Sequence, residues 1–194
     1  IFIDSDNNEI ANITMGSNIG DWAIYLTSSS NTTIRNNVIK NGGLGGIEIR
    51  SSSNYNKILH NSIGLNAGPG IYVRSSDYNI FRNNTIEDNP DGGFDLYNSD
   101  NNIISDNTIE DNYGDAIELS GSDSNTISGN TITSTAPFTA AGDGIYLTDS
   151  DSNTISNNTI TSNGDSFGGD GIYLKNSHSN TISNNTIKDN GGDG

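Results

Sequence analysis

The chain has 194 residues, of which 30% are hydrophobic, and it carries a net charge of −16 from 24 acidic and 8 basic residues. Nucleic acids and anionic membrane surfaces are bound through basic patches, so this charge disfavours both as partners. The absence of cysteine excludes disulfide stapling, and no apolar run is long enough for a transmembrane segment. We therefore expect no nucleic-acid partner and no membrane insertion.

One phrase, typified by Asn-Thr-Ile-Ser-Asn-Asn-Thr-Ile, recurs along the chain with a nearly fixed period. Its second asparagine recurs at intervals of 24, 23, 23, 23, 28 and 27 residues. These asparagines are Asn37, Asn61, Asn84, Asn107, Asn130, Asn158 and Asn185. A period of this size is typical of a solenoid, in which each repeat buries its apolar face only by stacking on its neighbours.

Each repeat contains three short apolar pieces. The first pieces centre on Ile10, Ile34, Ile58, Phe81, Ile104, Ile127, Ile155 and Ile182. The second pieces centre on Met15, Ile39, Ile63, Ile86, Ile109, Ile132, Ile160 and Ile187. The third pieces are the pairs Ile24/Leu26, Ile47/Ile49, Ile71/Val73, Phe94/Leu96, Ile117/Leu119, Ile145/Leu147 and Ile172/Leu174.

Alternation of apolar and polar residues within these pieces indicates strands with one inward face, and no segment has the period of a helix. The sequence therefore predicts an all-β, right-handed parallel β-helix solenoid of about eight coils of 23–28 residues, with three short strands per coil. Its handedness follows from the preference of parallel crossovers. We expect residues 1–194 to form a single domain.

The recurring asparagines are expected at the turn between the first and second strands of each coil. Stacked amides can bond the coils above and below, and a buried amide without partners would cost about 1–3 kcal/mol. We therefore interpret this column as a structural ladder, with a ligand-binding role as the alternative.

Both ends of the sequence fall at the same phase of the repeat. Ile1-Phe-Ile3 corresponds to Ile24-Tyr-Leu26, and residues 192–194 correspond to residues 169–171. Unpaired strands at the end of a β-helix invite further pairing. We expect either flanking coils in a longer solenoid or end-to-end stacking with a second copy.

Two adjacent coils are longer than the others, through expansions at residues 133–143 and 161–170 that each add a phenylalanine, Phe138 and Phe167. Insertions in solenoids often gather on the binding face. The expansions either pack on one another over apolar surface or form a ligand site, and packing is the simpler interpretation.

The repeats GDGIYLTDSDSNTISNNTI (142–160) and GDGIYLKNSHSNTISNNTI (169–187) resemble the right-handed parallel β-helix repeats of the NosD-like and carbohydrate-binding/sugar-hydrolase group, within the pectate-lyase-like superfold. The resemblance covers the whole chain. It implies the fold, and it implies a relation both to secreted polysaccharide lyases, hydrolases and epimerases and to repeat regions of cell-surface proteins. Copper, suggested by the NosD likeness, lacks ligands here, because the chain has no cysteine, one methionine and two separated histidines.

The outward positions of the third strands form two columns. The first column is Phe2, Tyr25, Glu48, Tyr72, Asp95, Glu118, Tyr146 and Tyr173, and the second is Thr27, Arg50, Arg74, Tyr97, Ser120, Thr148 and Lys175. Tyrosine rings on a flat sheet can stack on sugars, which makes Tyr25, Tyr72, Tyr97, Tyr146 and Tyr173 candidates for carbohydrate binding.

Asp95 and Glu118 are the catalytic candidates. They fall in adjacent coils, which predicts a carboxylate separation of about 5 Å, near that of retaining glycosidases. The chain has neither an Asn-Thr-Asp, Asp-Asp, Gly-His-Gly and Arg-Ile-Lys set like that of polygalacturonases nor an Asp-Pro-His-Glu motif like that of alginate epimerases. A non-catalytic role for the pair is therefore the favoured interpretation, and catalysis is the alternative.

Asp115, Asp143 and Asp170, followed by Asp193, form a further column beside the third strands. Carboxylates suit Ca²⁺, so these residues are candidate calcium ligands, although no Gly-Gly-x-Gly-x-Asp loop recurs. Solvated turn residues are the simpler interpretation, and no other cofactor is expected.

Two further columns carry weaker hypotheses. An outward threonine column on the second strands, Thr85, Thr108, Thr131, Thr159 and Thr186, resembles ice-binding faces. Glycosylation sequons occur at Asn12, Asn31, Asn83, Asn157 and Asn184, of which all but Asn31 share one phase.

Taken together, the uniform repeat and the acidic surface favour a non-enzymatic structural or adhesive β-helix that is extracellular or at the cell surface, as a stalk, surface-layer or filament component. The alternative is a polysaccharide-binding or polysaccharide-active β-helix that resembles lyases, hydrolases or epimerases. Ice binding is a remote alternative.

Overall fold

The computed structural model describes residues 1–16, 20–133, 142–164 and 168–194. Within these ranges the chain is a solenoid of about seven turns built from three parallel sheets, each with eight strands and with no helix between them. The eight strands of each sheet come from eight successive coils, and each strand pairs with the equivalent strand of the next coil. The predicted fold class is confirmed.

Each sheet collects one of the three strands of every coil. Sheet I contains β2 (Glu9–Ala11), β5 (Thr33–Arg35), β8 (Lys57–Leu59), β11 (Ile80–Arg82), β14 (Ile103–Ser105), β17 (Thr126–Ser128), β20 (Thr154–Ser156) and β23 (Thr181–Ser183). Sheet II contains β3 (Thr14–Met15), β6 (Val38–Lys40), β9 (Ser62–Gly64), β12 (Thr85–Glu87), β15 (Thr108–Glu110), β18 (Thr131–Thr133), β21 (Thr159–Thr161) and β24 (Thr186–Lys188). Sheet III contains β1 (Phe2–Ile3), β4 (Ile24–Thr27), β7 (Ile47–Arg50), β10 (Ile71–Arg74), β13 (Phe94–Tyr97), β16 (Ile117–Ser120), β19 (Ile145–Thr148) and β22 (Ile172–Lys175).

A thin apolar core runs through the centre of the three sheets. It consists of the inward residues of each strand, which are nearly all isoleucine and leucine and are almost completely buried from Ile24 to Ile160. Phe81 and Phe94 meet inside it edge to face, with ring centroids 5.6 Å apart. Because strands alternate their side chains between two faces, one or two apolar residues per strand fill this narrow interior, which explains the low hydrophobic content.

The predicted asparagine ladder lies at the turn between sheets I and II, as expected. Each side-chain amide donates to the amide oxygen of the next coil and to a backbone carbonyl of the preceding coil, as Asn107 does to Asn130 Oδ1 and Phe81 O, both at 3.0 Å. Asn107 Oδ1 in turn accepts the Asn84 backbone N–H at 2.9 Å and its Nδ2 at 3.0 Å. The buried polar groups of this turn are therefore satisfied from coil to coil.

The structure contains further buried ladders that the sequence analysis missed. One follows sheet III and contains Asn56, Asn79, Asn102, Asn125, Asn153 and Asn180. Another follows sheet II and includes Asn66, Asn89 and Asn112, and Asn163 with Asn190. A column of serines runs from Ser29 to Ser177, and in it each serine backbone N–H donates to the hydroxyl oxygen of the serine in the next coil. These ladders could also have been predicted, because their asparagines and serines recur at one position of the sequence repeat, as the asparagines of the predicted ladder do.

The turns also depend on residues in the left-handed backbone region. Most of the non-glycine residues with positive φ are asparagine, aspartate or serine, the residue types that tolerate this conformation or favour turns. Leu65 and Tyr55 are exceptions, with φ of 55° and 60°. A bulky side chain in this region costs about 1–2 kcal/mol, so these two positions carry strain.

Leu65→Asn is expected to stabilise the fold by about 1 kcal/mol, because asparagine relieves this backbone cost. Leu65 is 52% exposed, so the change removes little burial. The free energy of unfolding from guanidinium denaturation would measure the gain. Leu44→Asn is the matched control, since Leu44 is also 52% exposed but does not have positive φ. An equal effect of the two substitutions would contradict the backbone argument.

Candidate functional site

The outer face of sheet III carries the two predicted columns in the predicted register. Tyr72 pairs with Asp95, Asp95 with Glu118, and Glu118 with Tyr146 across successive strands. Arg50, Arg74 and Tyr97 are likewise neighbours in the second column. Since the inward residues between them are buried, the columns are the only side chains that these described strands present outward. In a stacked solenoid, a shared phase in the sequence becomes a straight column in space.

Asp95 on β13 and Glu118 on β16 are in register on adjacent strands, whose backbones lie about 4.8 Å apart. Both side chains are half-buried. Burial, together with the smaller effect of the negative charges of Glu118 and Asp91, raises the pKa of Asp95 to about 7. Burial also raises the pKa of Glu118. The pair therefore has one carboxyl group that is part-protonated near neutral pH, next to a second carboxyl group.

Tyr72 and Tyr146 flank this carboxyl pair on either side along the column. Tyr72 stacks on Trp22 with centroids 6.0 Å apart and planes 12° apart, and Tyr146 stacks on Tyr173 at 5.3 Å and 12°. Each tyrosine is thus stacked on an aromatic ring from the side of the column away from Asp95 and Glu118. We call Tyr72, Asp95, Glu118 and Tyr146 the acidic notch; it spans three strand spacings, about 14 Å.

Trp22 is part of this site although the sequence analysis did not identify it. It precedes β4 but reaches Tyr72 on β10, two strands further along sheet III. Gly45 leaves room for the indole, because a Cβ there would lie 2.1 Å from Trp22 Cζ3. No repeat signal marks Trp22, which is the only tryptophan in the chain.

The other tyrosine candidates also have ring contacts: Tyr25 has two, whereas Tyr97 and Tyr173 have one each. Tyr25 stacks on Phe2 at 5.4 Å, and the Arg50 guanidinium lies 5.5 Å from its ring centroid. Arg74 lies 5.5 Å from the ring centroid of Tyr97. Tyr72 and Tyr146 differ from these rings in that they border the acidic notch.

The aspartate column beside sheet III is a hydrogen-bonded ladder. Asp115 Oδ1 accepts the Asp143 backbone N–H at 2.6 Å, and Asp143 and Asp170 accept the N–H groups of Asp170 and Asp193 at the same distance. Burial raises the pKa of Asp115 to about 7, partly offset by the N–H of Asp143. The described residues contain no group of three or more His, Cys, Asp and Glu side chains placed to hold a metal ion. Calcium binding at Asp115, Asp143 and Asp170 stays a prediction.

The sequon asparagines Asn12, Asn31, Asn83, Asn157 and Asn184 are all exposed, and all have positive φ. Their side chains are accessible at turn corners, and their glycosylation stays a prediction.

The threonine column from Thr85 to Thr186 is in the predicted register on sheet II, and ice binding there stays a prediction. Phe138 and Phe167 lie outside the described residues.

A family model described as "Right handed beta helix region" matches residues 1–141 and 137–194. The chain belongs to this right-handed β-helix family. The match covers both the repeats of 23 residues and the longer coils, and it confirms the resemblance and the handedness inferred from the sequence.

Solved structures share this fold at low sequence identity. The A-module of a mannuronan C-5 epimerase from Azotobacter vinelandii matches with a TM-score of 0.82 and 19% identity, over 97% of this chain and 58% of that one. A periplasmic alginate epimerase matches with a TM-score of 0.77 and 20% identity, over 90% of this chain and 44% of that one. The DFA-IIIase of Arthrobacter chlorophenolicus A6 matches with a TM-score of 0.81 and 16% identity, over 94% and 47%.

The chain thus spans about half the length of these structures. Identities below 25% show a shared fold alone. No curated protein matches the chain in sequence. In the part of the chain that the structure describes, there is no helix of the length and apolar character needed to cross a bilayer.

Proposed function

We propose that this β-helix binds a polysaccharide along the outer face of sheet III and acts on a sugar held in the acidic notch. The observation that carries the proposal is the carboxyl pair Asp95 and Glu118, in register on adjacent strands and bordered by Tyr72 and Tyr146. Support also comes from the solved structures of this fold, which include enzymes named for mannuronan, alginate and pectate.

The chemistry follows from the different environments of the two carboxyl groups. Asp95, with its pKa raised to about 7, can donate a proton near neutral pH, and Glu118 is assigned the role of the carboxylate. Placement on adjacent strands about 5 Å apart suits a retaining glycosidase. Glu118 would bond to the anomeric carbon while the glycosidic bond breaks and Asp95 protonates the leaving oxygen, and a water deprotonated by Asp95 would then hydrolyse the glycosyl–enzyme bond. Tyr72 and Tyr146, about 14 Å apart at the two ends of the notch, would each make apolar contact with a sugar unit of the bound chain.

Asp95→Asn and Glu118→Gln are each expected to reduce turnover at least 100-fold, because each removes one half of the acid–base pair. A panel of acidic and neutral polysaccharides would be tested for new reducing ends and for unsaturated products. Asp149→Asn is the matched control, since Asp149 is an exposed aspartate at the far end of β19. Retention of full activity by both variants would rule out catalysis at the notch.

Binding is tested separately from turnover. Tyr72→Ala is expected to weaken binding of any recognised polysaccharide about tenfold by removing one wall of the notch. Tyr55→Asn serves as the control, because it removes an exposed ring from a turn outside sheet III and asparagine fits its positive φ. Affinity electrophoresis would compare the two variants. Equal losses would place the binding surface elsewhere.

A second candidate function is a non-enzymatic stalk, adhesin or filament component outside the cell. Its support is the ladder system, which repeats along the rod and stiffens it. It predicts end-to-end association and a location at the cell surface. Electron microscopy of the full-length protein would test the association, and antibody labelling of intact cells would test the location. An intracellular monomer without polysaccharide turnover would contradict both the structural role and the proposed action on a polysaccharide.

A further inference from the structure

Two arginines stand side by side on the outer face of sheet III. Arg50 on β7 pairs in register with Arg74 on β10, so two positive side chains face each other on adjacent strands. Like charges in this position repel and destabilise a sheet. The chain has only 8 basic residues and a net charge of −16, so this concentration of positive charge calls for a physical reason.

Neighbouring carboxylates do not fully balance this pair. Arg50 Nη1 lies 3.6 Å from Glu48 Oε1, and Glu48 is 5% exposed. No carboxylate of a described residue lies within 4.0 Å of Arg74, whose charge acts on Glu48 only at longer range. By contrast, Arg35 and Arg82 on sheet I have carboxylate partners at 2.6 and 3.2 Å.

The two guanidinium groups are held over aromatic rings beside a cavity. Each lies 5.5 Å from a ring centroid, Arg50 over Tyr25 and Arg74 over Tyr97. Such contacts orient a guanidinium while its N–H groups remain available to a ligand. Arg50 and Arg74, together with Ser51 and Ser75, line a cavity of about 240 Å³. The cavity therefore offers two forked donors and two hydroxyl groups to one occupant.

We infer that Arg50 and Arg74 form an anion subsite that binds a carboxylate or sulfate group of an acidic polysaccharide. This inference rests on the proposed function and names its substrate class. Planar guanidinium groups recognise such oxyanions through paired N–H donors. The cavity volume suits one anionic group with a few waters, at about 30 Å³ for each water.

The position of the subsite fits a chain that lies along the rod. Arg74 is on β10, and Asp95 is on the neighbouring strand β13, so an anionic sugar at the arginines places the following sugars over the acidic notch. The subsite would thereby fix the position of the polymer relative to the carboxyl pair. It also supplies the local positive charge that a polyanion needs in order to approach an acidic protein.

Matched polymers isolate the contribution of charge. Polygalacturonate would be compared with its fully methyl-esterified form, and dextran sulfate with dextran, by isothermal titration calorimetry. The wild-type chain is expected to bind at least one charged polymer tenfold or more tightly than its neutral counterpart, and increasing salt is expected to weaken that binding. Binding of polygalacturonate would identify the anion as a carboxylate, and binding of dextran sulfate would identify it as a sulfate.

Arg74→Gln is expected to raise the Kd for the charged polymer about tenfold, without changing the Kd for the neutral one. Arg74→Lys keeps the charge but not the forked donors and is expected to recover only part of the loss. Arg82→Gln is the matched control on sheet I. Arg74 is preferred to Arg50 as the test position, because Arg50 also neutralises the buried Glu48.

The outcomes separate this inference from the proposed function. If charged and neutral polymers bind equally and Tyr72→Ala weakens both, the anion subsite is overturned and the glycan surface stands. An equal loss in Arg82→Gln would also overturn the subsite. If no polymer binds, both proposals are overturned.

Discussion

Replacing Asn107 with alanine is expected to lower the free energy of unfolding by about 3–5 kcal/mol, although the change removes no apolar contact. Asn107 is 1% exposed, and its amide joins three successive coils. Without it, the backbone N–H of Asn84 and the carbonyl of Phe81 lose their bonds to this amide. Water has little access to either group, so the desolvation cost is not recovered.

Guanidinium denaturation followed by circular dichroism would measure this loss. Asn101→Gly is the matched control, because Asn101 is exposed and its φ of 56° suits glycine. It is expected to change stability by less than about 0.5 kcal/mol. Because solenoid stability depends on interfaces between neighbouring repeats, the ladder variant is also expected to unfold less cooperatively. A loss below 1 kcal/mol would show that the ladder contributes little.

The protein is expected to be more stable at pH 5 than at pH 8 by about 2–4 kcal/mol, after allowance for the partial exposure of the two groups responsible. The folded state raises the pKa of both Asp95 and Asp115 from 3.8 to about 7, mainly through burial. Between these values the folded state binds more protons than the unfolded state. Its stabilisation is therefore complete below pH 4 and is lost as the pH rises through 7.

The double variant Asp95→Asn and Asp115→Asn is expected to remove most of this pH dependence. A neutral amide carries no ionisation cost, and an asparagine at 115 keeps an oxygen to accept the Asp143 N–H. Thermal unfolding at pH 5 and at pH 8 would measure the change, with Asp149→Asn as the exposed control. If the double variant kept the wild-type pH profile, other groups would have to be responsible.

The positions of the site residues along the rod could be predicted from the sequence. Asp95 faces Glu118, and Arg50 faces Arg74, because equivalent phases of a solenoid repeat stack directly above one another. The same rule located the ladder from Asn37 to Asn185. A regular period thus converts sequence spacing into spatial register with little ambiguity.

Side-chain orientation could not be read in this way. The sequence placed Tyr25 and Tyr97 on the outer face, but only the structure shows that Phe2 and the arginines cover their rings. Likewise, the sequence placed the aspartate column in turns, but only the structure shows that its carboxylates accept backbone N–H groups of the next coil. Both features depend on contacts between coils, which no single repeat contains.

The sequence by itself determined the fold, the register and the membership of each column, because these follow from one period and from the two-residue alternation of strands. Only the tertiary structure decided which residues of these columns are stacked on a ring or have a pKa shifted by burial. Trp22 reaches across two strands to Tyr72, and burial raises the pKa of Asp95 to about 7. Stacking distance and desolvation arise when separate coils come together, so they have no local signature in the sequence.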